Sequence, residues 1–219
     1  MRIALLFEKK GAAKYISHLD LQRAFSRAVR RSGLPVKMSQ GFNPHYAVSF
    51  ASALATGIES EYEIAEFETK TDMPAPEFLR KISGALPPGL YAKDAARLID
   101  GAPKLAAAVR EAQYAVKIKK ADADELKSAV CDIMNKDSLM VVRNGQETDI
   151  RKMIKELSFG GGIITMRLSA APEGTLRPDT LVGELKKRAD FTCGITRTGL
   201  YTYAHGGTRD LFGAFTQET

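Results

Sequence analysis

Between Ser17 and Phe50 the chain gathers two imidazoles, a carboxylate and four guanidinium groups: His18, Asp20, Arg23, Arg27, Arg30, Arg31 and His45. Three chemistries use such a set. A histidine can serve as general base toward an RNA 2′-hydroxyl, a built-in nucleophile, so His18 and His45, with Asp20, are candidate catalytic groups. Two histidines and a carboxylate can also hold zinc or iron. Guanidinium groups grip phosphate through bidentate forks.

Spacing ranks these readings. Asp20 follows Ser17 at the start of an apolar helical run, a variant of the capping box that accounts for both residues. No HxH, HxxxH or HExxH pattern brings the histidines together, so neither a metal site nor a resident cofactor is expected. No GxSxG elbow activates a serine. Gly160-Gly161-Gly162 lacks both the Walker lysine and the GxGxxG spacing of a nucleotide loop. The phosphate reading is better supported. Leu21, Ala24, Phe25 and Ala28 form the core face of the helix, while Arg23, Arg27 and Arg30, with Arg31 adjacent, form another. Asp and Glu are absent from positions 21–58. Such a stripe repels itself unless something anionic lies along it.

The turn that follows, Ser39-Gln40-Gly41-Phe42-Asn43-Pro44-His45, adds neutral donors and acceptors. Gly41 allows a positive φ, and Asn43-Pro44 starts a turn. Phe42 is either an anchor reaching back to the core or a stacking platform for a base. Gln40, Asn43 and His45 suit recognition of base edges. The candidate nucleic-acid contacts are therefore Arg23, Arg27, Arg30, Arg31, Lys37, Gln40, Phe42 and Asn43.

The elements that must position these groups follow a repeated order. In the first half, strands are expected at 2–7, 36–39, 46–52, 62–69 and 90–99, with helices at 18–32 and 75–86. In the second, strands are expected at 113–120, 138–144, 162–170 and 193–203, with helices at 123–135 and 177–188. Residues 149–159 read as a helix or as a strand with its loop, and Asn144-Gly145 as a turn. The fold class is α+β, with two ferredoxin-like (β-α-β-β-α-β) halves side by side. The N-terminal domain is 1–99, the linker 100–111, the C-terminal domain 112–203, and 204–219 a mobile tail in which Leu211, Phe212 and Phe215 could dock.

The chain has 219 residues and a net charge of +6. All of the excess lies in residues 1–60, which hold nine basic and three acidic side chains. A localised positive field of this kind fits a polyanion partner. No apolar run approaches the roughly 20 residues of a membrane span, and the N-terminus is too soon charged for a secretory signal. Cys131 and Cys193 form no CxxC, so a reducing cytoplasm is the expected location.

The segments "YISHLDLQRAFSRAVRRSGLP", "SQGFNPHYAVSF" and "GIESEYE" resemble a bacterial family of unknown function linked to radical SAM proteins. Its members are fused to, or encoded beside, a radical SAM protein, and in many genomes they neighbour a ribonuclease of the E/G type. The resemblance covers most of residues 1–203. The matching residues include His18, Asp20, Arg23, Arg27, Arg30, Gly41, Phe42, Asn43, Pro44 and His45. The family commonly has proline after the last of these, where this chain has Tyr46. The resemblance implies a partner of a radical SAM protein acting on RNA. The chain carries no CxxxCxxC motif for the cluster itself.

Three functions are thus expected, in order. The first is an RNA- or polyanion-binding accessory protein working with a radical SAM partner in RNA processing or modification. The second is a metal-independent endoribonuclease, or a metal-assisted enzyme, using His18 and His45. The third is a protein-interaction module docking on the radical SAM partner, with Glu59, Glu61 and Glu63 as contacts.

Overall fold

An aliphatic run makes the first strand, β1 (Arg2–Lys9), and its side chains are buried on both faces. In the computed structural model, residues 1–143, 145–204 and 206–217 are described. Asn144 of the expected Asn144-Gly145 turn, and His205, Glu218 and Thr219 of the expected tail, lie outside the described residues. The fold is mixed α+β, in two units: Met1–Val109 with Gly199–Thr219, and Arg110–Thr198.

In the first unit, β1 is followed by α1 (His18–Ser32), β2 (Val48–Phe50), β3 (Glu59–Glu68), α2 (Ala75–Ser83), β4 (Leu90–Arg97) and α3 (Leu105–Ala108). Strand β1 is central and antiparallel to both β3 and β4, and β2 pairs antiparallel with the outer side of β3. The expected strand at 36–39 is reduced to single bridges, Val36 to Thr69 and Met38 to Tyr46. Pro35 lacks an N–H to give, and the turn bends away directly after Ser39.

Helix α1 is anchored by aromatic packing. The Phe25 ring meets Phe7 at 4.9 Å, Phe50 at 5.2 Å and Phe67 at 6.1 Å, and Phe67 meets Phe78 of α2 at 4.9 Å. Tilted and edge-on contacts at these distances suit the ring quadrupole. Leu21, Ala24, Ala28 and Val29 complete the buried face of α1. Gly33 ends the helix with φ 64°, the left-handed cap that glycine adopts without a Cβ clash.

The second unit contains β5 (Glu111–Ala121), α4 (Ala123–Met134), β6 (Met140–Arg143), β7 (Gln146–Asp149), β8 (Ile154–Gly160), β9 (Ile163–Ala171), β10 (Gly174–Thr175) and α5 (Pro178–Lys186). It closes with the first part of β11 (Phe191–Ala204). The order is β10-β9-β5-β11, with β8 on β9, and β6-β7 forms a separate hairpin. Residues 149–159 resolve into a short 3-10 turn, Arg151–Met153, followed by β8. Leu126, Ile133, Leu181 and Leu185 supply the buried faces of its helices.

The later part of β11 belongs to the first unit, with β12 (Gly207–Asp210) and α6 (Leu211–Phe215). Residues 204–219 were expected to form a mobile tail. Instead β12 pairs with β11, and Leu211 and Phe212 of α6 are buried. The Tyr62 hydroxyl donates to the Asp210 carboxylate and accepts from the Phe212 N–H at 3.3 Å, which fixes this segment to β3. The first part of the expected linker is likewise tied to the first unit. Arg2 donates to the carbonyls of Ala102 and Pro103, and Leu105 donates to Glu66.

Candidate functional site

Ser17 caps α1 as the sequence indicates. Its Oγ accepts from the Asp20 N–H at 3.1 Å and donates to the Asp20 carboxylate at 2.8 Å. Arg23 adds an ion pair to Asp20 at 3.1 Å. These bonds, Ser17's foremost and Arg23's next, hold the Asp20 carboxyl below its ordinary range. Asp20 is therefore engaged as a cap and an ion-pair partner.

The arginine stripe separates into members with different roles. It was expected to have no acidic partner, yet Arg23 has Asp20, one helical turn back on the N-terminal side. Arg31 donates to the Ala85 carbonyl beyond α2 and so braces two elements. Arg27 and Arg30 are exposed and, among the described residues, their side chains make no hydrogen bond or ion pair. Lys37 lies 4.0 Å from Glu68 and lines a different cavity, of about 470 Å³, with Arg2, Arg97 and Lys104.

The turn is closed by its own hydrogen bonds. Ser39 N–H donates to the His45 carbonyl at 2.7 Å, and the His45 N–H donates to Ser39 Oγ at 3.0 Å. The His45 ring places Nδ1 at 2.8 Å from Ser39 Oγ and 3.3 Å from the Asn43 carbonyl. In either tautomer these bonds leave Nε2 outside the turn's own network. Gly41 has φ 145°, as the turn requires. Of the two readings of Phe42, the core anchor is excluded. Its relative exposure is 107%, so it does not anchor to the core. Gln40 and Asn43 are exposed beside it.

Helix and turn meet at a cleft of about 310 Å³. Leu19, Gln22, Arg23 and Ser26 contribute one face of α1, at the i, i+3, i+4, i+7 spacing. His45, Tyr46 and Val48 form the other wall. His18 is not in this lining. It packs edge-on against Phe50 at 5.5 Å and accepts from the Gln22 amide at 3.3 Å. Gln22 thus bonds one histidine while lining a cleft with the other. The structure brings Arg23 and His45 to one cavity and leaves His18 and Lys37 outside it.

Leu19, Gln22, Ser26, Tyr46 and Val48 are cleft residues that sequence reasoning missed. Leu19 carried a signal. It is an apolar side chain off the core face of α1, and it is 63% exposed. Of the three acids considered as partner contacts, Glu63 is buried. Glu59 accepts from Lys14 at 3.2 Å, and Glu61 lies 3.4 Å from Lys10. Glu61 and Glu63, two residues apart, share one face of β3; Glu61 is exposed near the start of the strand, and Glu63 is buried further along it, where it pairs with Phe7 of β1. Among the described residues, no group of three or more His, Cys, Asp or Glu side chains is placed to hold a metal ion. No helix among them is long and apolar enough to cross a membrane.

No curated protein matches the chain. A family model described as "Uncharacterized protein conserved in bacteria (DUF2344)" matches residues 2–178, a span that contains α1, the turn and the cleft between them, and the chain belongs to that family.

Proposed function

We propose that this protein is an RNA- or polyanion-binding accessory factor of the bacterial cytoplasm that works with a radical SAM partner in RNA processing or modification. The observation that carries the reading is the pair Arg27 and Arg30, exposed on one helix without an anionic partner among the described residues. Several other cations of the first unit do have acidic partners: Lys10 with Glu8, Lys14 with Glu59, Lys104 with Glu66 and Glu68. Two guanidinium groups left open one turn apart are suited to successive phosphates. The exposed turn of Gln40, Phe42 and Asn43 supplies discrimination beside them. The radical SAM partner rests on the family resemblance of the α1 and turn segments. The reading of each half as ferredoxin-like is supported by strand orders β4-β1-β3-β2 and β11-β5-β9-β8, the hairpin β6-β7 being an insertion.

Binding of RNA measured against salt concentration tests the proposal. Affinity should fall steeply with salt, and the double variant Arg27→Ala/Arg30→Ala should lower the slope of log K against log salt by about 1.4 for a single strand. Absence of binding at low ionic strength, or an unchanged slope in the variant, would sink it.

A further inference from the structure

We infer that the occupant of this surface is single-stranded RNA, with one unpaired base held in the cleft between α1 and His45 and a neighbouring base stacked on Phe42. The inference rests on the polyanion-binding reading and names the substrate class for the same site.

Three observations lead to it. The cleft, at about 310 Å³, is at the small end of ligand pockets and has the size for one planar group rather than a duplex. Its walls are mixed in the way a base requires. Leu19 and Val48 offer apolar contact, and Gln22, Ser26 and His45 bring an amide, a hydroxyl and an imidazole. Arg23 lines the same cavity while paired with Asp20, and Arg27, unpaired among the described residues, stands one turn further along the helix.

Phe42 is the second observation. A fully exposed phenyl ring in a polar turn leaves its whole apolar surface in water. A base face would cover it. In a duplex both faces of each base are already covered by neighbours in the stack, so only an unpaired base can use Phe42.

The third is the electrostatic setting. No carboxylate occurs from position 21 to 58, and Asp20 is neutralised by Arg23. A phosphate chain can therefore run from the turn along α1 without meeting a like charge from these residues. A surface that only held phosphates would need neither the open ring nor the walled cleft.

Fluorescence anisotropy on the full chain with three probes tests this: a labelled single-stranded RNA of about 12 nucleotides, the same sequence as a duplex, and inorganic polyphosphate. The single strand should bind about tenfold more tightly than the duplex. Phe42→Ala should weaken the single strand by about tenfold and leave polyphosphate binding in place. Ser26→Phe, which fills the cleft from the exposed side of α1, should weaken the single strand in the same selective way. Equal binding of all three probes with both variants neutral overturns the single-strand inference while the polyanion reading stands. No binding of any probe at low salt overturns both.

Discussion

Glu66 on β3 is buried, and it is held by donors from two segments. Arg2 Nε donates at 2.8 Å, Lys104 Nζ at 3.0 Å and the Leu105 N–H at 3.2 Å. Burial pushes its pKa up, and the bonds from Arg2, Lys104 and Leu105 more than offset this, so the carboxyl titrates below its ordinary 4.5. Removing the carboxylate takes from Arg2 its ion-pair partner and from the Leu105 N–H its acceptor, while Lys104 keeps Glu68. Glu66→Ala should cost about 1–3 kcal/mol in urea unfolding. The pH dependence follows from the direction of the shift. A lowered folded pKa means that stability is complete above the unfolded value and is lost as pH falls through the folded one. Melting temperatures from about pH 5 down to about pH 3 should therefore fall less steeply for Glu66→Gln than for the native protein. Equal slopes would show that Glu66 is not a principal acid-sensitive group. The same residue explains why the start of the expected linker belongs to the first unit. A glutamate inside an alternating strand gives no sign in the sequence of the distant lysine that meets it.

At the scale of elements, helices were the most legible part. Ser17 and Gly33 bracket α1 at the expected residues because caps are local chemistry, decided within a turn of the helix end. The short pieces β7, β10, α3 and α6 were not foreseen, since their stability comes from what they pair with rather than from their own pattern. Strand edges shifted for the same reason: β3 begins at Glu59, where pairing starts, and not at Tyr62, where alternation becomes visible. The site was half legible. Charge segregation marked the arginines, but the cleft walls lie on residues whose types are unremarkable until α1 and the turn are brought together. Two glycines show how far local rules reach. Gly33 and Gly89 both have positive φ, 64° and 88°. A Cβ on Gly33 meets open space, whereas one on Gly89 would lie 2.7 Å from Ala13 Cβ and 2.8 Å from the Lys10 carbonyl. Gly33→Ala should cost about 1 kcal/mol from backbone strain alone. Gly89→Ala adds overpacking and should cost about 2–4 kcal/mol. Chemical denaturation of the two variants side by side checks the difference, and equal losses would contradict the close approach.

Across the whole molecule, the first unit is built from two separated stretches of chain. The closing segment adds an edge contact to the loop after β4: the Ile99 N–H donates to the Phe215 carbonyl at 2.9 Å, and the Gln217 N–H to the Arg97 carbonyl at 2.9 Å. Neighbouring Leu98 donates instead to Arg2, at 3.0 Å. Ending the chain at Asp210 should make the Ile99 amide exchange at least about tenfold faster, with Leu98 still protected. Protection that is unchanged at Ile99 would mean that the segment does not hold this edge. The apolar residues Leu211, Phe212 and Phe215 left docking open within an expected mobile tail, but the partner of this segment, Tyr62, lies about 150 positions earlier, beyond the reach of any local rule. The interrupted first unit also sets an order of assembly on the ribosome. Residues 110–198 emerge as one continuous piece and can fold while translation is still under way. The unit carrying α1 and the turn begins to emerge first yet is completed after residues 110–198, because its closing strand and helix follow them in the chain. A nascent chain arrested before residue 211 displays the arginine helix on a unit that still lacks its last edge, so synthesis of α6 is what certifies that the basic surface is mounted on a finished scaffold.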